Sequence, residues 1–185
     1  MSRADATKAR ILQAATDEFA TYGIAGARVD RIAKRAAANK NLIYVYFCSK
    51  EQLFDAVLDA TVTQGLDSVP FTPDNLPEYA GRIFDYCRQH PEVIRLATWH
   101  RMERAGQDPA SMSPTREAKL EALAAAQQQS RLGSDFSPSA LLTIVSSIAL
   151  AWDPTTVTSM PASAAEADTI DERRRAIVEA VRRLL

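Results

Sequence analysis

The side chains with the clearest chemical potential lie close together in residues 39–50, NKNLIYVYFCSK. An asparagine can form two hydrogen bonds with the edge of an adenine, and a lysine can donate to guanine or to a phosphate. Tyrosine hydroxyls can donate to phosphate oxygens, and an exposed valine can contact the methyl group of thymine. The residues that could bind DNA in these ways, or add positive charge beside it, are Arg28, Asn39, Lys40, Asn41, Tyr44, Val45, Tyr46 and Lys50.

Other kinds of chemistry find little support in the sequence. It contains no GxSxG motif, glycine-rich phosphate loop, HExxH motif or paired acidic cluster, so we predict that the protein is not an enzyme. Cys48 and Cys87 lie far apart and outside any CxxC motif, and His90 and His100 lack a metal-ligand partner at i, i+4 spacing. We therefore expect no catalytic site, disulfide, metal or cofactor.

Hydropathy gives no sign of export or of membrane insertion. The first residues lack an apolar signal region, and the longest nearly apolar run, Ala140–Trp152, is too short to span a bilayer. We expect a cytoplasmic protein with no membrane partner.

Charge is distributed unevenly along the chain. Residues 1–50 hold nine Lys or Arg and four acids, a balance of +5, whereas residues 51–185 hold thirteen basic and nineteen acidic residues, a balance of −6. A basic module on an acidic body is expected when only one end meets a polyanion, although a basic face that is merely solvated would have the same composition.

The elements that must position the candidate DNA contacts are three helices in quick succession. Apolar residues at spacings of three and four predict a first helix that ends at Gly23, where glycine accepts a positive φ. A second, short helix is predicted over 29–36, and a third over 40–47 with Asn39 as its N-cap. Two short helices separated by three residues have the form of a helix-turn-helix.

The rest of the chain also reads as helical. Ser49 and Gln52 form a capping-box pattern ahead of a fourth helix over 50–66, and prolines in 68–77 mark an elbow. Caps and prolines place the later helices at 75–89, 91–104, 114–130, 138–152 and 169–185. We therefore predict an all-α protein of about nine helices.

The stretch 11–57, ILQAATDEFATYGIAGARVDRIAKRAAANKNLIYVYFCSKEQLFDAV, resembles the DNA-binding region of the TetR (tetracycline-repressor-like) family. The matching positions are Ala14, Phe19, Gly23, Ile32, Ala33, Ala36 and the run from Tyr44 to Leu53. Ala37, Asn39 and Asn41 depart from the family pattern, which commonly has glycine at the first and third of these positions. A positive φ at Ala37 would cost on the order of 1 kcal/mol.

The resemblance implies a three-helix DNA-binding domain in residues 1–48 and a helical dimerisation and ligand-binding domain in residues 49–185. It implies a homodimeric regulator, in particular a repressor, that binds double-stranded DNA at a palindromic operator. A small apolar effector would release it. The alternative is a helical adaptor that binds a protein and has only a degenerate helix-turn-helix.

The resemblance also assigns roles in the second domain. The expected dimer contacts are Leu141, Leu142, Val145, Ile148, Ile177, Val181 and Leu184, for which the alternative is the core of a single chain. The expected lining of a ligand pocket is Tyr79, Phe84, Tyr86, Cys87, Trp99, Met102 and Trp152, for which ordinary core packing is again the alternative.

Overall fold

A computed structural model describes residues 3–104, 113–156 and 168–185, and the regular structure within these ranges is helical, which confirms the all-α class. The helices are α1 (Arg3–Gly26), α2 (Val29–Arg35), α3 (Lys40–Phe47), α4 (Lys50–Leu58), α5 (Gln64–Asp67), α6 (Leu76–Gln89), α7 (Pro91–Glu103), α8 (Ser113–Gln128), α9 (Pro138–Ala149) and α10 (Ile170–Leu184). A π-helical segment, Asp59–Thr63, joins α4 to α5. With Lys50–Asp67 counted as one interrupted helix, the described residues form the nine helices expected.

Polar side chains begin five of these helices where the sequence predicts them. Each N-cap oxygen accepts a hydrogen bond from a backbone N–H in the first turn, which satisfies one of the donors left unpaired at a helix start. The N-caps are Asn39, Ser49, Asn75, Ser137 and Thr169. At Thr169 the capping box is complete, because Glu172 also accepts from the Thr169 backbone N–H at 2.8 Å.

The regular path of α1 breaks at Gly23. This residue has φ +70° and ψ −175°, a conformation that is accessible essentially only to glycine. A short helical turn follows and ends at Gly26, so the helix extends slightly beyond the predicted end. The ring of Trp99 on α7 lies against the break, and a Cβ atom on Gly23 would be only 2.8 Å from its Cε3.

The described residues pack as two compact units. The first comprises residues 3–65 and 91–104, so α7 packs with α1–α4 although it lies beyond the proline-rich elbow. Its core includes Phe19 and Phe54, both fully buried with their rings edge to face at 5.2 Å. The boundary after residue 48, which the family resemblance implies, remains a prediction.

The second unit comprises residues 66–90, 113–156 and 168–185. Arg174 on α10 holds α6 through charged hydrogen bonds, with Nε 2.7 Å from Asp85 Oδ2 and one terminal nitrogen 2.9 Å from Glu78 Oε1. These bonds join helices that are far apart in sequence. No helix in the described ranges is both long and apolar enough to cross a membrane.

Most of the expected dimer contacts lie in the core of this unit. Five of them are at most 5% exposed: Leu141, Leu142, Val145, Ile177 and Val181. Their burial is what the alternative, the core of a single chain, predicts, and a contact with a second copy stays a prediction for each of them. Ile148 and Leu184 remain partly exposed, and their contact with a second copy stays a prediction.

Replacing Gly23 by alanine should destabilise the first unit. Alanine would have to hold the positive φ of Gly23, and its Cβ would collide with the Trp99 ring. We therefore expect the free energy of unfolding to fall by about 2–4 kcal/mol. Urea denaturation measures the change. The matched control is Gly26→Ala, whose Cβ would meet Tyr22 Cβ at 3.4 Å, and we expect a loss of less than about 1 kcal/mol. Equal losses in the two variants would contradict this explanation.

Candidate nucleic-acid interface

The connection between α2 and α3 closes as a Schellman motif. The Ala38 N–H donates to Ala33 O at 3.0 Å and the Ala37 N–H donates to Lys34 O at 3.3 Å. Ala37 has φ +47°, the left-handed conformation that usually requires glycine at this position. Alanine thus adopts the positive φ at the position where the family pattern has glycine. Arg10 on α1 supports the turn by donating from Nε to Ala36 O at 3.2 Å.

Helix α3 separates an apolar face from a polar one. Ile43 and Phe47 are buried, and Leu42 is half-buried. Four of the predicted DNA contacts are exposed on the same helix: Lys40, Asn41, Tyr44 and Val45. Val45 is 71% exposed, which leaves an apolar side chain in water at the centre of the predicted reading surface.

The remaining predicted contacts have defined surroundings. Asn39 is exposed, but its Oδ1 accepts from the Asn41 N–H at 2.8 Å, so its amide group alone is left to donate. A two-bond contact of Asn39 or Asn41 with adenine stays a prediction. Tyr46 is half-buried, with its ring 6.3 Å from that of Phe47, and Arg28 is exposed just before α2.

The segment from the break at Gly23 to the start of α2, residues 24–28, which we call the α1–α2 connection, is held by a buried acid. Glu18 on α1 is only 6% exposed, and its Oε1 accepts from the Arg28 N–H at 2.9 Å and from Arg31 Nε at 2.6 Å. Arg31 also donates to Gly26 O at 3.0 Å, and its guanidinium lies over Tyr22, 4.2 Å from the ring centroid. Hydrogen bonding to Glu18 raises the pKa of Arg31.

Two further charged side chains also hold the α1–α2 connection. The Lys50 ammonium lies 3.4 Å from the carbonyl oxygens of both Ala25 and Ala27. The Glu103 carboxylate on α7 accepts from the Ile24 N–H at 3.1 Å and from the Ala25 N–H at 2.8 Å. Lys50 is thus a structural anchor as well as a predicted phosphate contact.

Sequence reasoning missed Glu18 and Glu103 as parts of this site. A signal for Glu18 was present, since it follows Ala14 and Ala15 at helical spacing on the apolar stripe of α1. No local signal could identify Glu103, because it meets Ile24 across 79 positions of sequence.

The predicted pocket residues are divided between the two units, and the pocket itself stays a prediction. Trp99 and Met102 belong to the first unit, where Trp99 Nε1 donates to Ala20 O at 3.4 Å and Met102 is 69% exposed. The other five lie in the second unit; Tyr79, Phe84 and Cys87 are buried, and Tyr86 and Trp152 are half-buried. Burial raises the pKa of Tyr79 and that of Cys87 to about 12, so both are neutral at physiological pH.

A lysine that the sequence did not single out lies beside this group. The Lys119 ammonium is 5.7 Å from the ring centroid of Tyr79 and 6.0 Å from that of Phe71. Burial lowers the pKa of Lys119. Around Tyr79 the second unit therefore combines aromatic rings with the Lys119 ammonium.

Comparison with known proteins covers both parts of the chain. The family "Bacterial regulatory proteins, tetR family" matches residues 11–57, and "Tetracyclin repressor-like, C-terminal domain" matches residues 75–183. The HTH-type transcriptional repressor SCO4008 of Streptomyces coelicolor is 50% identical over 99 residues, which are 54% of this chain and 52% of that protein. The HTH-type transcriptional repressor NicS of Pseudomonas putida is 36% identical over 101 residues, with 51% and 48% covered.

A solved structure matches nearly the whole chain. SCO4942 from Streptomyces coelicolor, assigned as a transcriptional regulator, superimposes with a TM-score of 0.87 at 37% identity, covering 96% of this chain and 97% of that one. By contrast, the chain spans about half the length of the curated relatives it matches.

Replacing Ala37 by glycine should not destabilise the protein. Glycine removes roughly 1 kcal/mol of strain at a positive φ, which offsets the greater entropy of the unfolded chain. The neighbouring variant Ala38→Gly has no such strain to relieve, and we expect it to lower the free energy of unfolding by about 0.5–1 kcal/mol. Parallel urea titrations measure the difference, and an Ala37→Gly loss as large as that of Ala38→Gly would refute it.

Replacing Glu103 by alanine should loosen the α1–α2 connection. The Ile24 and Ala25 amides would lose their acceptor, as when a helix cap is removed, at a cost of about 1 kcal/mol. Hydrogen exchange of these two amides, followed by NMR, should accelerate about fivefold. The control is Glu121→Ala on the exposed surface of α8, which should leave the exchange of both amides unchanged. Unaltered exchange in Glu103→Ala would show that the carboxylate does not hold the connection.

Proposed function

The chain belongs to the TetR family of bacterial regulatory proteins, and on that premise we propose that it is a transcriptional regulator that binds a specific DNA sequence through α2 and α3. The observation that carries the proposal is the outward face of α3, where Lys40, Asn41, Tyr44 and Val45 are all exposed. Donors, acceptors and an apolar group on one short helix are what reading a major groove requires.

The charges of the first unit support this role. Acids on α1 and α2 pair with Arg31, Arg35 and Lys40, yet no described carboxylate lies within ion-pair distance of Arg28 or Lys34. These two exposed cations, together with Lys50 and the hydroxyls of Tyr44 and Tyr46, are our proposed phosphate contacts. Such contacts position the protein on the duplex, while the α3 side chains select the sequence.

We propose that the protein acts as a homodimer on a palindromic operator. Helix α9 has no charged residue along its whole length, and its exposed or half-exposed side chains include Thr143, Ile144, Ser147 and Ile148. An uncharged helix surface with small side chains suits close approach of a second copy, to which Leu184 of α10 would add. Twofold symmetry would present two α3 helices roughly 34 Å apart.

We also propose that a small, largely apolar effector releases the protein from DNA in the cytoplasm, so that it acts as a repressor. Relatives in two genera are named as repressors. Tyr79, Phe84, Tyr86, Cys87 and Trp152 supply the proposed apolar contacts in the second unit. Lys119 beside Tyr79 would favour an effector that carries an acidic group or a carbonyl oxygen.

Selection from a random DNA pool tests the proposal directly. The purified protein should enrich fragments that share an inverted repeat whose half-sites are about one helical turn apart, or a multiple of it. The variant Asn41→Ala should relax the motif at one position in each half-site. Tyr46→Phe should weaken binding to every fragment alike. In the absence of effector, the control Tyr86→Phe in the second unit should change neither motif nor affinity.

The contrary result is equally clear. If the protein enriches no sequence even at low salt, it does not read DNA in this way. The alternative of a helical adaptor that binds a protein would then be favoured.

A further inference from the structure

An acid lies among the residues proposed to read DNA. Asp30, in the first turn of α2, places Oδ1 2.8 Å from the ammonium of Lys40, the first residue of α3. The two side chains are 74% and 47% exposed, respectively. This ion pair, which we call the Asp30–Lys40 pair, therefore joins the two helices of the helix-turn-helix on their solvent side.

Stability does not explain the pair. An exposed ion pair contributes little to folding, because water screens it and two flexible side chains must be ordered. α3 already has its N-cap from Asn39 and its buried anchors in Ile43 and Phe47. An acid on a surface that meets phosphates also weakens binding to DNA in general. Asp30 thus has a cost for DNA affinity, while folding gains from it only the modest stabilisation of an acid in the first turn of α2.

The pair has the chemistry of one base-pair edge. In the major groove a G·C pair shows the acceptors N7 and O6 of guanine beside the N4 amino donor of cytosine. Lysine is a common donor to the guanine atoms, and a carboxylate accepts from the cytosine amino group. A donor and an acceptor held 2.8 Å apart can therefore engage both bases of one pair. On DNA that lacks a G·C base pair at this position, Asp30 stays paired with the Lys40 ammonium, which is then not available to a phosphate.

We propose that the Asp30–Lys40 pair reads one G·C base pair in each half-site, and that Asp30 increases sequence selectivity by weakening binding to all other DNA. This inference rests on the proposed function. It assigns Asp30, which sequence reasoning did not include among the DNA contacts, as a residue that determines specificity. Sequence specificity is the difference between the affinity for the operator and the affinity for other DNA. It increases when binding to other DNA is weakened as well as when binding to the operator is strengthened.

Comparison of Asp30→Ala with the unmodified protein tests the inference, using random-sequence DNA and the fragment enriched by selection. Freed Lys40 should bind phosphates, so affinity for random DNA should rise several-fold. The plot of log affinity against log salt should steepen by about 0.9 for each bound chain. A repeated selection should show the preference for one G·C pair in each half-site reduced by about tenfold or more. Lys40→Met should abolish the same preference.

The matched control is Asp17→Ala. Asp17 forms a similar exposed pair with Arg35, 3.1 Å apart, between α1 and α2, so its removal changes net charge equally without touching α3. Asp17→Ala should raise the affinity for random DNA less than Asp30→Ala does, and it should leave the selected motif unchanged. Asp30→Asn keeps the shape of the side chain and serves if the alanine variant folds poorly.

Several outcomes would overturn the inference. The inference fails if Asp17→Ala and Asp30→Ala change DNA affinity and the selected motif equally, or if Asp30→Ala binds random DNA more weakly than the unmodified protein does. It also fails if the position whose preference changes in Asp30→Ala is an A·T pair. If the unmodified protein enriches a motif and Asp30→Ala leaves every position unchanged, the inference alone fails. If the unmodified protein enriches nothing, the proposed function itself fails.

Discussion

The buried carboxylate of Glu18 sets the geometry on which the rest of the reading surface depends. A buried charge is costly unless it is paired and hydrogen-bonded, and here Arg31 and the backbone of Arg28 meet that requirement. Arg28 is the residue immediately before α2, and its N–H donates to Glu18 on α1. This bond fixes the start of α2 relative to α1. The Schellman turn at Ala37 then carries that orientation to α3. Glu18, together with Lys50 and Glu103 on the same connection, thus helps to set where the side chains of α3 lie.

Features written in local sequence were predictable. The start of α3 at Asn39 and of α10 at Thr169 followed from capping, because a cap depends on residues only two or three positions away. The break at Gly23 followed from the conformational freedom of glycine. The chemistry of α3 was equally local, since its exposed and buried faces follow from helical periodicity.

Features that depend on distant partners were not predictable. The apolar stripes of α9 and α10 showed that Val145 and Val181 would be buried, but periodicity does not say whether the covering surface belongs to the same chain. Trp99 is predicted to line a pocket, and its ring lies against Gly23, which is 76 positions earlier in the chain. Nothing in the sequence near either residue indicates that contact. Long-range charge contacts such as Glu103 with Ala25 follow only from the assembled fold.

The position of α7 within the first unit has a consequence for biosynthesis and for modularity. The unit is discontinuous, because residues 66–90 separate α7 from the helices that it covers. A ribosome therefore releases the α1–α4 segment well before Trp99 and Glu103 exist to complete it. The proposed DNA-reading part therefore includes contacts from α7, and we expect a stable chimaera to need α7 together with α1–α4.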